Sequence, residues 1–245
     1  MALQFTTAEH ESTTHGIKCM VYGPAGMGKT VLNATMPNPV MISAESGALS
    51  LSQKNLERIF GVGHPWVTYN MPIIVVKTID DLKDAFRYLT ESAEATQFQS
   101  CGLDSLSEIA EVVLNAAKRT VKDPRQAYGE LIEKMETVVR DFRDIKGKNV
   151  LFLSKMEPMK DELTGVVKYG PMMPGAKLGV KMPYFFDEVF RYGISKAPDG
   201  SEFRFLQTQP DLQYEAKDRS GALDKTEYPM MWPIFDKIKG VQPHG

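Results

Sequence analysis

The amino-acid sequence predicts an α/β protein in which a mostly parallel, twisted sheet carries helices on both faces. A glycine-rich phosphate-binding motif lies between an apolar strand and a helical segment near the N-terminus. Further apolar, strand-like segments then alternate with helical segments as far as residue 154. Two strand-like segments and a last helical segment follow, so we expect small β additions to the sheet near the C-terminus.

The composition is that of an ordinary globular chain. Of 245 residues, 42% are hydrophobic and 24% are charged, and we expect a polar segment over residues 1–15 and a single domain over residues 16–240. Apolar runs fall well short of the ~18 residues of a membrane helix. Cys19 and Cys101 lie in predicted core strands, which favours buried thiols in a reducing cytoplasm. The net charge of −2 means that any contact with nucleic acid needs a local basic surface.

The phosphate-binding motif at residues 23–30 fits the P-loop pattern G-x-x-x-x-G-K-[ST]. Its glycines let the backbone curl so that N–H groups point at a phosphate, and the following helix adds partial positive charge there. We expect Lys29 to reach the β- and γ-phosphates and the Thr30 hydroxyl to ligate Mg²⁺. The predicted nucleotide-binding residues are Gly23, Pro24, Ala25, Gly26, Met27, Gly28, Lys29 and Thr30.

Two carboxylates follow later strands of the predicted sheet. Glu45 comes just after the strand-like residues 40–43, and Asp104 ends the segment 98–104. Because the carboxyl ends of strands gather around the ligand in open α/β sheets, we expect Asp104 to hold Mg²⁺ and Glu45 to activate the attacking water. Two alternatives stay open: Asp104 as the cap of the next helix, and Glu45 as a solvated loop residue.

Polar residues also end the strand-like segment 149–154, which we expect beside the Asp104 strand. Ser154 and Lys155 are candidates for sensing the γ-phosphate from this position, with ordinary surface residues as the alternative.

The span 157–183 is rich in glycine, proline, methionine and lysine, although Glu157, Asp161 and Glu162 dilute its positive charge. One interpretation is a functional loop along a phosphate backbone, with Tyr169 stacking on a base. The other is a β-hairpin with ordinary lysines. Under the first interpretation the nucleic-acid-binding residues are Lys160, Lys168, Tyr169, Lys177 and Lys181.

Lys217 and Arg219 lie one residue apart in a late strand-like segment, so their side chains point the same way. Such a pair can act on the γ-phosphate of a neighbouring subunit, as an arginine finger does. The alternative is a pair of exposed cations at a strand end. The first interpretation predicts an oligomer.

The order of these features resembles the RecA/DnaB-type P-loop ATPase core over residues 16–240. Ala44-Glu45 resembles the position of the RecA-type catalytic glutamate, and residues 103–105 resemble its Walker B strand. Residues 216–221 resemble the K-x-R finger of DnaB-like helicases. Ser105 stands where ATPases of the AAA+ type usually carry their catalytic glutamate, which favours Glu45 as the base.

A closer resemblance is to the phage-encoded RecA-like ATPases of the Sak-four recombination family. It rests on the short length, the P-loop, residues 173–175 ahead of residues 186–189, and the late K-x-R. The resemblance implies an ATP- and Mg²⁺-dependent ATPase that binds single-stranded DNA and promotes annealing or recombination in the cytoplasm of a bacterial host.

The partners that the resemblance implies are single-stranded DNA, a phage or host single-strand binding protein, and further copies of the chain. In a ring or filament of such copies, Lys217 and Arg219 would act on the adjacent nucleotide. Two alternative functions stay open: a DnaB-type helicase subunit, and a loader or assembly protein that uses the nucleotide as a switch without significant turnover.

Overall fold

The structure of the protein is a computed structural model that describes residues 5–8, 10, 14–45, 47–121, 123–160, 165–174 and 176–241. The polar segment predicted over residues 1–15 lies only partly within these ranges, and Asp161, Glu162 and Gly175 lie outside them. The strands are β1 Lys18–Tyr22, β2 Pro39–Ser43, β3 Ile73–Val75, β4 Ser100–Asp104, β5 Asn149–Ser154, β6 Met156–Lys160, β7 Val167–Pro171, β8 Glu188–Lys196, β9 Glu202–Gln207, β10 Lys217–Asp218 and β11 Thr226–Glu227.

Among the described residues, the α-helices are α1 Gln53–Phe60, α2 Ile79–Glu91, α3 Leu106–Thr120, α4 Pro124–Arg143, α5 Ala176–Lys181 and α6 Met231–Ile238. Short 3-10 helices cover Lys29–Thr35, Ala48–Leu51, Ala93–Gln97 and Met182–Phe185. We refer to Lys29–Thr35 as the P-loop helix. None of the described helices has the length and apolar character that crossing a bilayer requires.

The described strands form one large sheet and one separate hairpin. The sheet has the order β11-β9-β8-β1-β5-β4-β2-β3, with β10 paired to β8. Pairings from β8 across to β3 are parallel, whereas β9, β10 and β11 pair antiparallel. The hairpin joins β6 to β7. The predicted fold, a mostly parallel sheet with small β additions near the C-terminus, is confirmed.

Helices cover both faces of the sheet. Successive side chains of β1 point to opposite faces, and each face has its own apolar cluster. Met20 and Tyr22 pack on the face that α2, α3 and α4 cover. Cys19 and Val21 pack on the opposite face, against the P-loop helix and α6. The strand that leads into the P-loop therefore lies inside the sheet, between β5 and β8, with both faces buried.

Local details differ from the sequence predictions in two places near the site. The P-loop helix is a 3-10 helix of seven residues, which is long for this type, with Val31 N–H donating to the Gly28 carbonyl at 3.1 Å. Helix α3 begins after Ser105, whose hydroxyl accepts from the Glu108 N–H at 3.4 Å. The alternative in which Asp104 caps this helix is wrong, because Asp104 is still the last residue of β4.

The span 157–183 contains the β6–β7 hairpin and then α5, so a hairpin is present here. Contact of its lysines and Tyr169 with nucleic acid stays a prediction. Helix α2 begins with a capping box between Thr78 and Asp81.

Candidate functional site

The P-loop leaves the carboxyl end of β1 and curls around its own lysine. Gly28 has φ of +95°, a backbone conformation that glycine adopts without strain. At Gly23 a side chain would be crowded, because its Cβ would lie 3.0 Å from the Tyr192 carbonyl oxygen. Lys29 Nζ donates to the carbonyl oxygens of Gly23 and Pro24, each at 2.8 Å, so its ammonium lies over the loop. Burial lowers the pKa of Lys29, while nearby acidic side chains oppose that shift.

Thr30 and Asp104 meet at the start of the P-loop helix. The Thr30 hydroxyl lies beside the carboxylate of Asp104, which is only 5% exposed at the end of β4. Burial raises the pKa of Asp104 to about 6, and the nearby Thr30 hydroxyl opposes this rise. A buried carboxylate beside a hydroxyl offers the hard oxygen ligands that Mg²⁺ prefers, and a divalent cation would offset the cost of burying the charge. These two residues therefore fit the expected magnesium ion.

Glu45 lies beside this pair because β2 and β4 are neighbours, with Ser43 in register with Asp104. Its Oε1 accepts from the Ser105 hydroxyl at 2.7 Å. The negative charge of Glu45 opposes the lowering of the Lys29 pKa and adds to the raising of the Asp104 pKa. The peptide bond between Asp104 and Ser105 is cis. The structure thus brings Lys29, Thr30, Asp104 and Glu45 to one place, as the sequence analysis expects.

Ser105 is a site residue that the sequence analysis did not assign. In the sequence, Ser105 is noted only because AAA+ ATPases usually have a glutamate at this position. Its contact with Glu45 arises because β2 and β4 are adjacent in the sheet, and the order of elements along the chain does not reveal this pairing. Tyr192 is a second such residue, since its hydroxyl would lie 3.7 Å from a Cβ at Gly28.

Ser154 and Lys155 are held by side chains of α3. Ser154 is fully buried, and its hydroxyl lies 3.1 Å from that of Ser107 and donates to the Met172 carbonyl at 3.1 Å. Lys155 forms an ion pair with Glu108, and this hydrogen bond raises the pKa of the lysine. Contact of either residue with a γ-phosphate stays a prediction.

The five residues proposed for nucleic acid are divided between the β6–β7 hairpin and α5. Lys160 is exposed at the end of β6, and on β7 Lys168 pairs with Glu215 at 3.1 Å. The Tyr169 ring stacks on Tyr214 with centroids 5.6 Å apart. The two lysines of α5, Lys177 and Lys181, are both exposed. Lys181 pairs with Glu136 at 2.8 Å.

Lys217 and Arg219 both contact the segment just before β8. Lys217 Nζ donates to the Phe186 carbonyl at 2.5 Å, and the Arg219 guanidinium pairs with Asp187 at 2.7 Å. Because β8 runs parallel to β1, these cations lie at the amino end of the strands, whereas the P-loop lies at the carboxyl end. A five-residue strand is roughly 17 Å long, so neither cation reaches the P-loop of its own chain.

A protein-family model described as "AAA domain" matches residues 15–220. The chain belongs to the AAA domain family. The match covers the P-loop, Glu45, Asp104 and the K-x-R residues, so this AAA domain has the nucleotide-binding core of a P-loop ATPase family.

Two solved structures resemble this AAA domain at 14% sequence identity and a TM-score of 0.43. One is a KaiC-like protein from the archaeon Pyrococcus horikoshii, with 78% of this chain and 77% of that chain aligned. The other is the RadB recombinase, with 80% of this chain and 89% of that chain aligned. No curated protein matches the sequence at a significant level.

Proposed function

We propose that this protein is a magnesium-dependent ATPase that binds single-stranded DNA and promotes annealing or homologous recombination in phage DNA metabolism. The observation that carries the proposal is the convergence of Lys29, Thr30, Asp104 and Glu45 at the carboxyl ends of neighbouring strands. Membership of the AAA domain family supports the nucleotide part. The resemblance to phage Sak-four ATPases motivates the DNA part.

Each residue of the cluster has its own task in hydrolysis. Lys29 leaves the carbonyls of Gly23 and Pro24 and binds the β- and γ-phosphate oxygens. Thr30 and Asp104 would hold a magnesium ion, which would supply positive charge to neutralise the phosphate oxygens. Glu45 accepts a proton from water as the water oxygen bonds to the γ-phosphorus and the bond from that phosphorus to ADP breaks.

The β6–β7 hairpin and α5 are the proposed DNA-binding surface. Exposed Lys160 and Lys177 would contact phosphates, and a base placed on Tyr169 would extend the stack that this ring already forms with Tyr214. The full set of proposed contacts comprises Lys160, Lys168, Tyr169, Lys177 and Lys181.

An oligomer, either a ring or a filament, is part of the proposal. Lys217 and Arg219 lie at the opposite end of the strands from the P-loop of their own chain, so an arginine-finger role requires a neighbouring subunit.

The test is steady-state ATP hydrolysis with Mg²⁺, with and without oligo(dT). Glu45→Gln should lower the rate about 10²–10⁴-fold because it removes the general base, while ATP binding persists. Glu91→Gln, an exposed residue at the end of α2, is the matched control and should leave the rate unchanged. Oligo(dT) should stimulate the wild type less at about 200 mM than at about 50 mM salt, because the phosphate contacts are screened.

Other outcomes identify the alternative functions. Tight ATP binding with negligible turnover, unaffected by Glu45→Gln, would replace the ATPase proposal with a nucleotide switch. Unwinding of a forked duplex without strand annealing would replace the annealing role with a helicase role. A Tyr169→Ala and Lys160→Ala double variant that binds oligo(dT) as tightly as the wild type would contradict the proposed DNA surface.

A further inference from the structure

Tyr22 is the last residue of β1 and comes directly before the first glycine of the P-loop. Its side chain is fully buried, and its hydroxyl donates to two backbone carbonyls, those of Tyr169 at 3.0 Å and Glu215 at 2.5 Å. Burial raises the pKa of Tyr22 well above its usual range, so the phenol remains a neutral donor. One hydroxyl thus joins the strand that carries the P-loop to two distant segments of the chain.

Those two segments, around Tyr169 and around Glu215, are joined to each other by backbone hydrogen bonds and a ring stack. The Tyr169 N–H donates to the Gln213 carbonyl at 2.7 Å, and the Glu215 N–H donates to the Tyr169 carbonyl at 3.0 Å. The Tyr169 ring stacks on Tyr214, and the Arg191 guanidinium lies 3.8 Å from the centroid of the Tyr214 ring. Residue 191 in turn lies opposite Tyr22 in the register of β8 against β1. The hairpin strand β7 is therefore attached to the end of β1 through several contacts around one buried phenol.

We infer that Tyr22 is a positioning residue that couples the state of the P-loop to the position of the β6–β7 hairpin. This inference rests on the proposed function, because the hairpin is the proposed DNA surface. Lys29 bonds the Gly23 and Pro24 carbonyls, so an ammonium that moves to a phosphate releases the backbone one residue away from Tyr22. The hydroxyl of Tyr22 carries that change to the carbonyls of Tyr169 and Glu215, and DNA at the hairpin acts on the P-loop by the same route.

The test compares Tyr22→Phe with Tyr69→Phe. Both changes keep the ring and remove a hydroxyl, and the Tyr69 hydroxyl likewise has two backbone partners, the Gly61 carbonyl and the His64 N–H, outside the hairpin. Tyr22→Phe should keep basal ATP hydrolysis within about twofold of the wild type and reduce its stimulation by oligo(dT) at least about fivefold. Tyr69→Phe should keep both. Where oligo(dT) stimulates the wild type, equal stimulation of Tyr22→Phe overturns the inference.

A second measurement separates this inference from the proposed function. Amide hydrogen exchange in β6 and β7 is followed with and without ATPγS, in the absence of DNA. The wild type should show slower exchange there when the nucleotide binds, and Tyr22→Phe should lose that response. Wild-type protein that shows no DNA stimulation but keeps the exchange response contradicts the DNA function alone. A hairpin that responds equally in both proteins, or in neither, overturns the coupling.

A folding defect in Tyr22→Phe would show as a lowered melting temperature. In that case Tyr214→Ala, which removes the ring stacked on Tyr169 but leaves β1 intact, should give the same loss of nucleotide response at the hairpin. An unchanged response in a folded Tyr214→Ala protein counts against the inference.

Discussion

Glu188, at the start of β8, is a carboxyl group that is 1% exposed. Its Oε1 accepts from the Ser220 N–H at 3.3 Å, and its carboxyl group also hydrogen-bonds the Asp218 side chain. Burial, followed by the charges of Asp218 and Asp187, raises the pKa of Glu188 to about 8. Burial also raises the pKa of the nearby Cys19 thiol and lowers the pKa of Lys217. Glu188 is therefore protonated at neutral pH.

Glu188 should make the stability of the protein depend on pH. The folded chain keeps a proton up to about pH 8 that the unfolded chain releases near 4.5, so stability falls as the pH rises through this window. In urea unfolding, the wild type should lose on the order of a few kcal/mol between these limits. Glu188→Gln should lose less than half as much, whereas exposed Glu202→Gln should follow the wild type. Parallel curves for Glu188→Gln and the wild type would contradict this assignment.

At the scale of the element, α2 begins with two reciprocal hydrogen bonds. The Thr78 hydroxyl accepts from the Asp81 N–H at 3.1 Å, and the Asp81 carboxylate accepts from the Thr78 N–H at 2.9 Å. These bonds satisfy backbone N–H groups that have no partner within the helix. The hydrogen bonds from the Lys77 and Thr78 segment also lower the pKa of Asp81.

Thr78→Ala should lower the free energy of unfolding by about 1 kcal/mol, because it removes the capping oxygen. Thr78→Ser keeps that oxygen and should stay within about 0.5 kcal/mol of the wild type. Chemical denaturation of the three proteins measures their free energies of unfolding. Equal losses of this free energy in both variants would show that the methyl group of Thr78, not its hydroxyl, stabilises the helix start.

Features that depend on residues close together in the chain were predictable from the sequence. The P-loop follows from glycine spacing, the α2 cap from Thr78 and Asp81, and the end of β4 at Asp104 from an apolar run. Contacts between distant parts of the chain were not. The partners of the Tyr22 hydroxyl lie 147 and 193 residues away, and no local pattern marks them. The parallel pairing of β8 with β1 likewise depends on packing of the whole sheet.

At the scale of the whole molecule, the P-loop and Arg219 lie at opposite ends of the strands of one sheet. Own-chain geometry separates Arg219 from the P-loop by the length of β1, and Arg219 is largely exposed beside Asp187. Under the proposed function, Arg219 therefore completes the P-loop site of a second copy that faces this amino end.

Mixed variants test this arrangement. Arg219→Ala and Lys29→Ala should each lose at least about 10²-fold in ATP hydrolysis, by removing the finger and the phosphate contact respectively. In a mixture, the intact Arg219 of one variant can serve the intact P-loop of the other, so activity should partly return. Arg204→Ala, an exposed cation on β9, should behave as the wild type. A fully active Arg219→Ala protein, or a mixture without recovery, would contradict action between subunits.

The outer strands of the large sheet restrict how such copies can meet. An open sheet has unpaired backbone groups along its outer strands, which in principle recruit another chain. Here the last strands at the two ends of the sheet are β3, with three residues, and β11, with two, which among the described residues pairs only with Leu206 and Gln207 of β9. Such short strands provide few backbone hydrogen bonds for a continuous intermolecular sheet. Rings or filaments of this protein would therefore be held together by side-chain surfaces, and the folded chain should resist amyloid-like growth.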